Sequence, residues 1–397
     1  MLPGDAAGNS GPTTTLTEPQ APPPDLQPPT PEIDPERQRV AREYAAIKRR
    51  LFFGELGVMV AAVLLFLAAG WSAGLRQWAE GISAEPWVVV GLYGVVLGVA
   101  YTVLSLPLSY YSGYVLPRRY GLSVQSLADW ALDDVKGLAI SAVFGLAGLE
   151  LLYWLLRTFP ESWWLLMAAL VWMFAVAMAQ LAPVLLMPIF YKFRPLDDPE
   201  LVQRLTALAE RAGTRVRGVY VMDMSRRTTT ANAMLTGLGR TRRIILGDTL
   251  LKDYTHDEIE TVLAHELAHH VHNDLPKGLA AEAALTLGGM WVASMALAWG
   301  VAAFGFEGVA DVAALPLFAL AMLLFGLLTM PAGNFMSRQM ERAADRYALR
   351  TTGKTAAFRS VMVKLAGQNL SEAEPPAWVC FLFYSHPPVS ERIKEQP

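Results

Sequence analysis

The sequence predicts a mainly α, polytopic membrane protein with about six transmembrane helices and a cytosol-facing unit that contains a small β-sheet. Three observations predict it. Of 397 residues, 53% are hydrophobic and only 17% charged, where a soluble domain carries nearer a quarter charged. Mean hydropathy is +0.30, and the apolar residues gather in six runs, each near or above the ~20 residues that cross a hydrocarbon core. Segments of helical and strand periodicity lie between and after these runs. Net charge is -3 and pI about 6.1, which makes no case for nucleic acid as a partner.

Residues 1–37 are rich in Pro, Thr and Gln. They lack an apolar h-region, so no signal peptide is expected, and "APPPDLQPPTPEIDP" reads as a disordered or polyproline-type tail. The apolar runs cover approximately 52–74, 86–108, 137–157, 163–188, 278–304 and 310–331. A four-span region is thus expected over 38–190, a first catalytic segment over 191–277, two helices over 278–331, and a second catalytic segment over 332–397. Lys48, Arg49, Arg50, Arg118, Arg119, Lys136, Lys192, Arg194, Lys277 and Arg338 flank the runs on one side. Only Arg76 and Arg157 flank them on the other. The positive-inside rule then places both termini, 190–277 and 332–397 in the cytoplasm. With no organelle signal, a prokaryotic plasma membrane is expected. Glu55, Glu150 and Glu282 fall within spans, where a carboxylate is a functional candidate or, near a span end, an interfacially solvated group.

Residues 197–213, "DDPELVQRLTALAERAG", have an acidic start, helical spacing and a closing glycine, and predict a capped amphipathic helix. "VRGVYVMDM" reads as a strand. "TTTANAMLTGL" and "RRIILGDTLL" read as two more, joined by the hairpin turn "GLGRT". Arg240, Arg242 and Arg243 at that turn read as a solvated turn near lipid headgroups. No P-loop motif is present, so ATP hydrolysis within the chain is not expected.

His265-Glu266-Leu267-Ala268-His269 follows "HDEIETVLA", which has helical apolar spacing. On a helix, positions i and i+4 share a face, so both imidazoles can bind one Zn²⁺ while Glu266 reaches a water at the metal. Three fixed letters in five can arise by chance, and the context decides. Cys380 is the only cysteine. A cysteine-based zinc site is excluded, any metal uses His and carboxylate, and Cys380 itself reads as a buried inert thiol. His270 and His272 point away from the face of His269. The better third ligand is Glu341 in "NFMSRQMERAADRYALR", where Glu341-x-x-x-Asp345 puts two carboxylates on one face. One can bind zinc, and the other can accept the N–H of a ligating imidazole. Asn232 is the candidate on an exposed edge strand that would pair with an extended peptide substrate. His386, in "SHPPVSERI", could donate to the oxyanion of a tetrahedral intermediate.

In this order, "YKFRPLDDPEL", "ANAMLTGLGRTRRIILGDTLL", "HELAHH", "SRQMERAADRYA" and "SHPPVSERI" run from about Tyr191 to Arg392. The set resembles the membrane-integrated zinc endopeptidases typified by the type I CAAX prenyl protease, whose bacterial relatives include the heat-shock membrane metalloprotease. The resemblance implies a gluzincin-like unit with one Zn²⁺ held by His265, His269 and Glu341. It makes Glu266 the general base and Asp345 a support behind the ligands. It has Asn232 bind substrate backbone, and His386 and Arg392 stabilise the transition state. It also implies a water-filled chamber among the helices, with the site near its cytosolic face; the prenyl protease has seven spans where six are found here. The expected partners are the lipid bilayer and a peptide or membrane-protein substrate, either lipidated C-terminal peptides or damaged membrane proteins. The rival classes are a metal transporter, which would want ionisable residues at midplane, and an inactive scaffold, which would have lost Glu266 or a ligand.

Overall fold

A computed structural model describes residues 32–237 and 241–396 of the chain. The proline-rich segment through residue 31, and Arg240 in the turn, lie outside the described residues. α1 (Pro35–Ala68) takes in the last three residues of the expected tail. Asp34 caps it by accepting from the Glu36 N–H, and Pro35 takes the first helical position, where a missing N–H costs nothing. The first turns of α1 are fastened far along the chain. Arg37 donates to the Gly367 carbonyl, and the Gln38 amide bonds Ser371 and Ala373. The helix ends short of the expected 52–74 run, because Gly70 adopts φ 72, a left-handed conformation that glycine reaches without a Cβ clash. A short helix, α2 (Trp71–Ile82), follows.

α3 (Pro86–Tyr110) passes through a π-helical turn, Tyr111–Val115, into α4 (Leu116–Arg119). α5 (Leu127–Thr158), α6 (Trp163–Leu185) and α7 (Met187–Phe190) complete the first region. Next come β1 (Phe193–Pro195), α8 (Pro199–Arg211), β2 (Val219–Met222), β3 (Ala233–Thr236) and β4 (Arg243–Gly247). α9 (Asp248–Asp253), α10 (His256–Val271), α11 (Asp274–Phe304), α12 (Leu315–Thr352), α13 (Thr355–Gln368), α14 (Ala377–Phe383) and α15 (Val389–Arg392) follow. Among the described residues, six helices are long and apolar enough to cross a membrane: Pro35–Ala68, Pro86–Arg119, Leu127–Thr158, Trp163–Phe190, Asp274–Phe304 and Val312–Thr352. They correspond to the six apolar runs. The bundle packs around buried Tyr93, Tyr153, Trp163 and Leu297.

The sheet has the order β1-β2-β4-β3. β2 and β4 are parallel, and the expected hairpin is β3–β4, with Ala233 opposite Leu246 and Thr236 opposite Arg243. β1, antiparallel to β2, was not anticipated, since three residues carry no readable period. α8 is the amphipathic helix expected over 197–213. Its Leu201, Leu205 and Leu208 meet Ile244 and Leu246 of β4, Leu263 and Leu267 of α10, and Phe358 of α13 in one core.

α12 changes the expected layout. It runs unbroken for 38 residues past Pro331, about 57 Å at 1.5 Å per residue. The last apolar run and the segment of Glu341 and Asp345 therefore lie on one continuous helix.

Candidate active site

α10 is held at its start by a capping box in which Thr255 and Glu258 satisfy each other's backbone N–H groups. Glu258 also accepts from Ser360 and Lys364 of α13, so the helix is fixed at both its end and its side. One turn apart on α10, His265 and His269 stand with ring centroids 5.0 Å apart and planes at 89°. α12 packs alongside and brings Glu341 to them. Glu341 Oε2 lies 3.2 Å from His265 Nε2, and Oε1 lies 3.6 Å from His269 Nε2. One ligand atom from each of these three residues falls within 4.8 Å of the others. An ion about 2.0–2.1 Å from each ligand would set neighbouring tetrahedral ligands about 3.3 Å apart, close to the 3.2 and 3.6 Å that separate Glu341 from the two imidazoles.

The donor set passes a second test. Glu341 Oε2 is buried without a directed hydrogen bond, although His265 Nε2 is close. Leaving such an oxygen unsatisfied is costly, and a cation between it and the imidazoles would satisfy it. Two imidazoles and a carboxylate suit a divalent transition metal.

Each imidazole has a carboxylate behind it. Asp345 Oδ1 is 2.9 Å from His265 Nδ1, and Asp345 is itself gripped by Arg392 of α15, through Nε at 2.8 Å and Nη2 at 2.6 Å. Arg392 Nη2 also lies 4.0 Å from Glu341 Oε2. Asp274 Oδ2 is 2.9 Å from His269 Nδ1. Both rings are thereby turned to present Nε2 to Glu341. Burial alone would lower the pKa of His265, but the contacts with Asp345 and Glu341 outweigh it and raise the value to about 9. Glu266, half-buried, has its pKa raised by burial, against the pull of the two histidines.

His386 Nε2 lies 3.3 Å from Glu341 Oε1, and its side chain is 58% exposed. It is not among the three mutually close ligand groups. Asn232 is exposed just ahead of β3, and its carbonyl accepts from the Gly247 N–H. His270 reaches the backbone of Leu235, and burial lowers its pKa. His272 packs edge-on against Tyr347, with centroids 5.7 Å apart. Neither belongs to the cluster, as their helical phase predicts. Arg243 stacks on Tyr220. Glu282 is exposed, and Glu55 lines a gap between α1 and α3.

A family model described as peptidase family M48 matches residues 195–396. The chain belongs to that family. A second model, described as CAAX prenyl protease N-terminal, five membrane helices, matches residues 14–192. The described part of that stretch holds four long apolar helices and the short α2. The uncharacterized metalloprotease YhfN of Bacillus subtilis is 33% identical over 91% of this chain and 86% of its own length. CAAX prenyl protease 1 of Saccharomyces cerevisiae is 38% identical over 44% of this chain and 39% of its own. The crystal structure of S. mikatae Ste24p superposes with a TM-score of 0.78 at 26% identity, covering 91% of this chain and 89% of that one. This M48 peptidase is therefore an integral, multi-pass membrane metalloprotease of the CAAX prenyl protease type. The metal its family implies finds its candidate ligands in His265, His269 and Glu341.

Asp274 was missed by the sequence reading. The signal was an acid five residues after His269 at a helix start, reached through Asn273 at φ 56, a left-handed turn that Asn tolerates. Outer partners of ligating histidines are typically worth about 10–100-fold in metal affinity. Asp274→Ala is expected to loosen the metal by that factor in a chelator competition, with the fold intact. Unchanged affinity would remove Asp274 from the site.

Proposed function

We propose that this chain is a zinc endopeptidase that cleaves peptide bonds of membrane-associated substrates at the cytosolic face of a prokaryotic plasma membrane, with both termini cytoplasmic. The observation that carries the reading is the His265–His269–Glu341 cluster, whose ligand atoms lie within 4.8 Å of one another beside Glu266. Two imidazoles and one carboxylate with a position left open is a donor set that catalytic zinc uses.

When bound there, zinc would polarise the scissile carbonyl and bring the pKa of water to about 7. Glu266 takes a proton from the attacking water, and its burial-raised pKa brings it nearer neutral pH, where a base also serves as an acid. It then returns the proton to the leaving amine. His386 and Arg392 donate to the oxyanion. Asp345 holds His265, and Arg392 holds Asp345.

β3 supplies the substrate track. Gly247 N–H bonds the Asn232 carbonyl, so Asn232, Met234 and Thr236 turn their main-chain groups toward β4. By the alternation of an antiparallel ladder, Ala233 and Leu235 turn theirs outward. An extended peptide adding to this edge meets the Ala233 groups and shares the Leu235 backbone with His270, with Asn232 at the end of the track. The names of the yeast relative and of similar proteins in plants and animals support C-terminal, lipidated peptides as substrates. The extent of the likeness to the Bacillus protein supports the prokaryotic setting. Peptides that accumulate uncleaved in cells carrying Glu266→Gln identify the substrate. A set confined to internal sites of damaged membrane proteins would overturn the preference for C-terminal peptides.

His386→Ala is expected to lower kcat by roughly 10²-fold or more, as for loss of one oxyanion donor. Metal content should hold, and KM should move much less than kcat. Loss of the metal in this variant would instead make His386 a ligand and put Glu341 in question.

A further inference from the structure

The positive-inside pattern assigns all of 332–397 to the cytosol, yet α14 is built for a different solvent. Its sequence, AWVCFLF, is apolar throughout. Trp378 is 53% and Phe381 56% exposed. The helix is docked against two of the membrane helices. On one flank, the Phe383 ring stands edge-on to Phe52 at 5.4 Å and Phe53 at 5.7 Å, with Trp378 6.4 Å from Phe383. Phe52 and Phe53 open the apolar run of α1, directly after Lys48, Arg49 and Arg50. On the other flank lies α12, whose outward face at this level carries Phe335. The exposed apolar surface of α14 therefore continues the lipid-facing surface of two spans.

A second observation points the same way. The last carbonyls of a helix in water can be left to solvent, whereas in a bilayer they must be answered by the protein. Three carbonyls at the end of α14 are answered from α12. Arg338, itself buried, donates to Cys380 at 2.9 Å and Tyr384 at 2.6 Å, and Asn334 donates to Leu382.

We propose that α14 is a membrane-seated element whose partner is the acyl-chain boundary of the lipid, and that it anchors the loop bearing His386 to the bilayer. Tyr384, Ser385 and His386 follow α14 directly. The Tyr384 hydroxyl donates to buried Glu372 at 2.9 Å, and Arg49 grips the same carboxylate at 2.6 Å. The loop is thus tied to α14 on one side and to the membrane entry of α1 on the other. The proposal holds whatever His386 does chemically.

The test uses the full chain in liposomes. With Cys380→Ser removing the sole cysteine, Phe381→Cys is labelled with an environment-sensitive fluorophore. Leu65→Cys, on the exposed face of α1's apolar run, and Glu210→Cys, on α8, are labelled as lipid and water references. The probe at 381 is expected to be quenched by shallow spin-labelled lipid to about the level seen at 65, and by iodide several-fold less than at 210. Iodide quenching equal to that at 210 would overturn the proposal. So would a probe that neither quencher reaches, which would mean that protein, such as a second copy of the chain, covers the helix. Trp378→Cys repeats the measurement at a second position, so that one poorly folded variant does not decide it.

Discussion

Glu266→Gln is expected to lower peptide cleavage by roughly 10²–10⁴-fold, the usual contribution of a general base, while fold and metal are retained. The amide keeps the shape of the side chain but cannot accept the proton. Glu266 directly follows His265 on α10, so it is turned toward the attacking water and not into the set where the His265 and His269 Nε2 atoms meet Glu341. It is not among the three close ligand groups, which is why its loss should leave the metal in place. Turnover and metal content measured on the same preparation check both halves. Cleavage at the wild-type rate would contradict the proposed mechanism, and loss of the metal would make Glu266 a ligand.

Replacing both His265 and His269 with alanine is expected to abolish cleavage, and by a different route. The two rings contribute two of three candidate ligands, and a single carboxylate does not hold a divalent transition metal against water. The substitution also strands buried charge. Asp345 would face Arg392 alone, Asp274 would keep only Lys277, and Glu341 would lose both imidazoles. Some loss of stability is therefore expected, on the order of 1–3 kcal/mol for each buried acceptor left unpaired. His386→Ala, which keeps all three candidate ligands, separates loss of activity from loss of metal.

Much of this architecture could be read from residue spacing. Membrane spans need long apolar runs because the hydrocarbon core is about 30 Å thick, and the cost of unpaired backbone groups in lipid makes such runs helical; six runs predict six helices, and six are found among the described residues. His265 and His269, and likewise Glu341 and Asp345, were legible because a helix puts i and i+4 on one face. The meeting of those two pairs was not visible in either spacing. It depends on α10 and α12 packing side by side, and the family resemblance supplied that link.

What escaped the sequence has physical reasons. Asp274 reaches His269 only through the left-handed turn at Asn273, and hydrophobic periodicity carries no record of a turn's handedness. α12 runs on through Pro331, although proline usually marks a helix boundary; the membrane segment and the carboxylate segment therefore looked separate. Gly70 ends α1 inside a run that composition alone joins to α2. The grip of Arg392 on Asp345 spans 47 residues, and no local pattern encodes it. α14 is seven residues long, too short to register as a membrane element by hydropathy.

The central claim is that His265, His269 and Glu341 hold one catalytic zinc. Elemental analysis of the purified protein beside its His265→Ala, His269→Ala variant tests it most directly. About one zinc per chain is expected in the wild type, as for a single three-ligand catalytic site, and close to none in the variant. Near-stoichiometric zinc surviving in the variant would contradict the assignment.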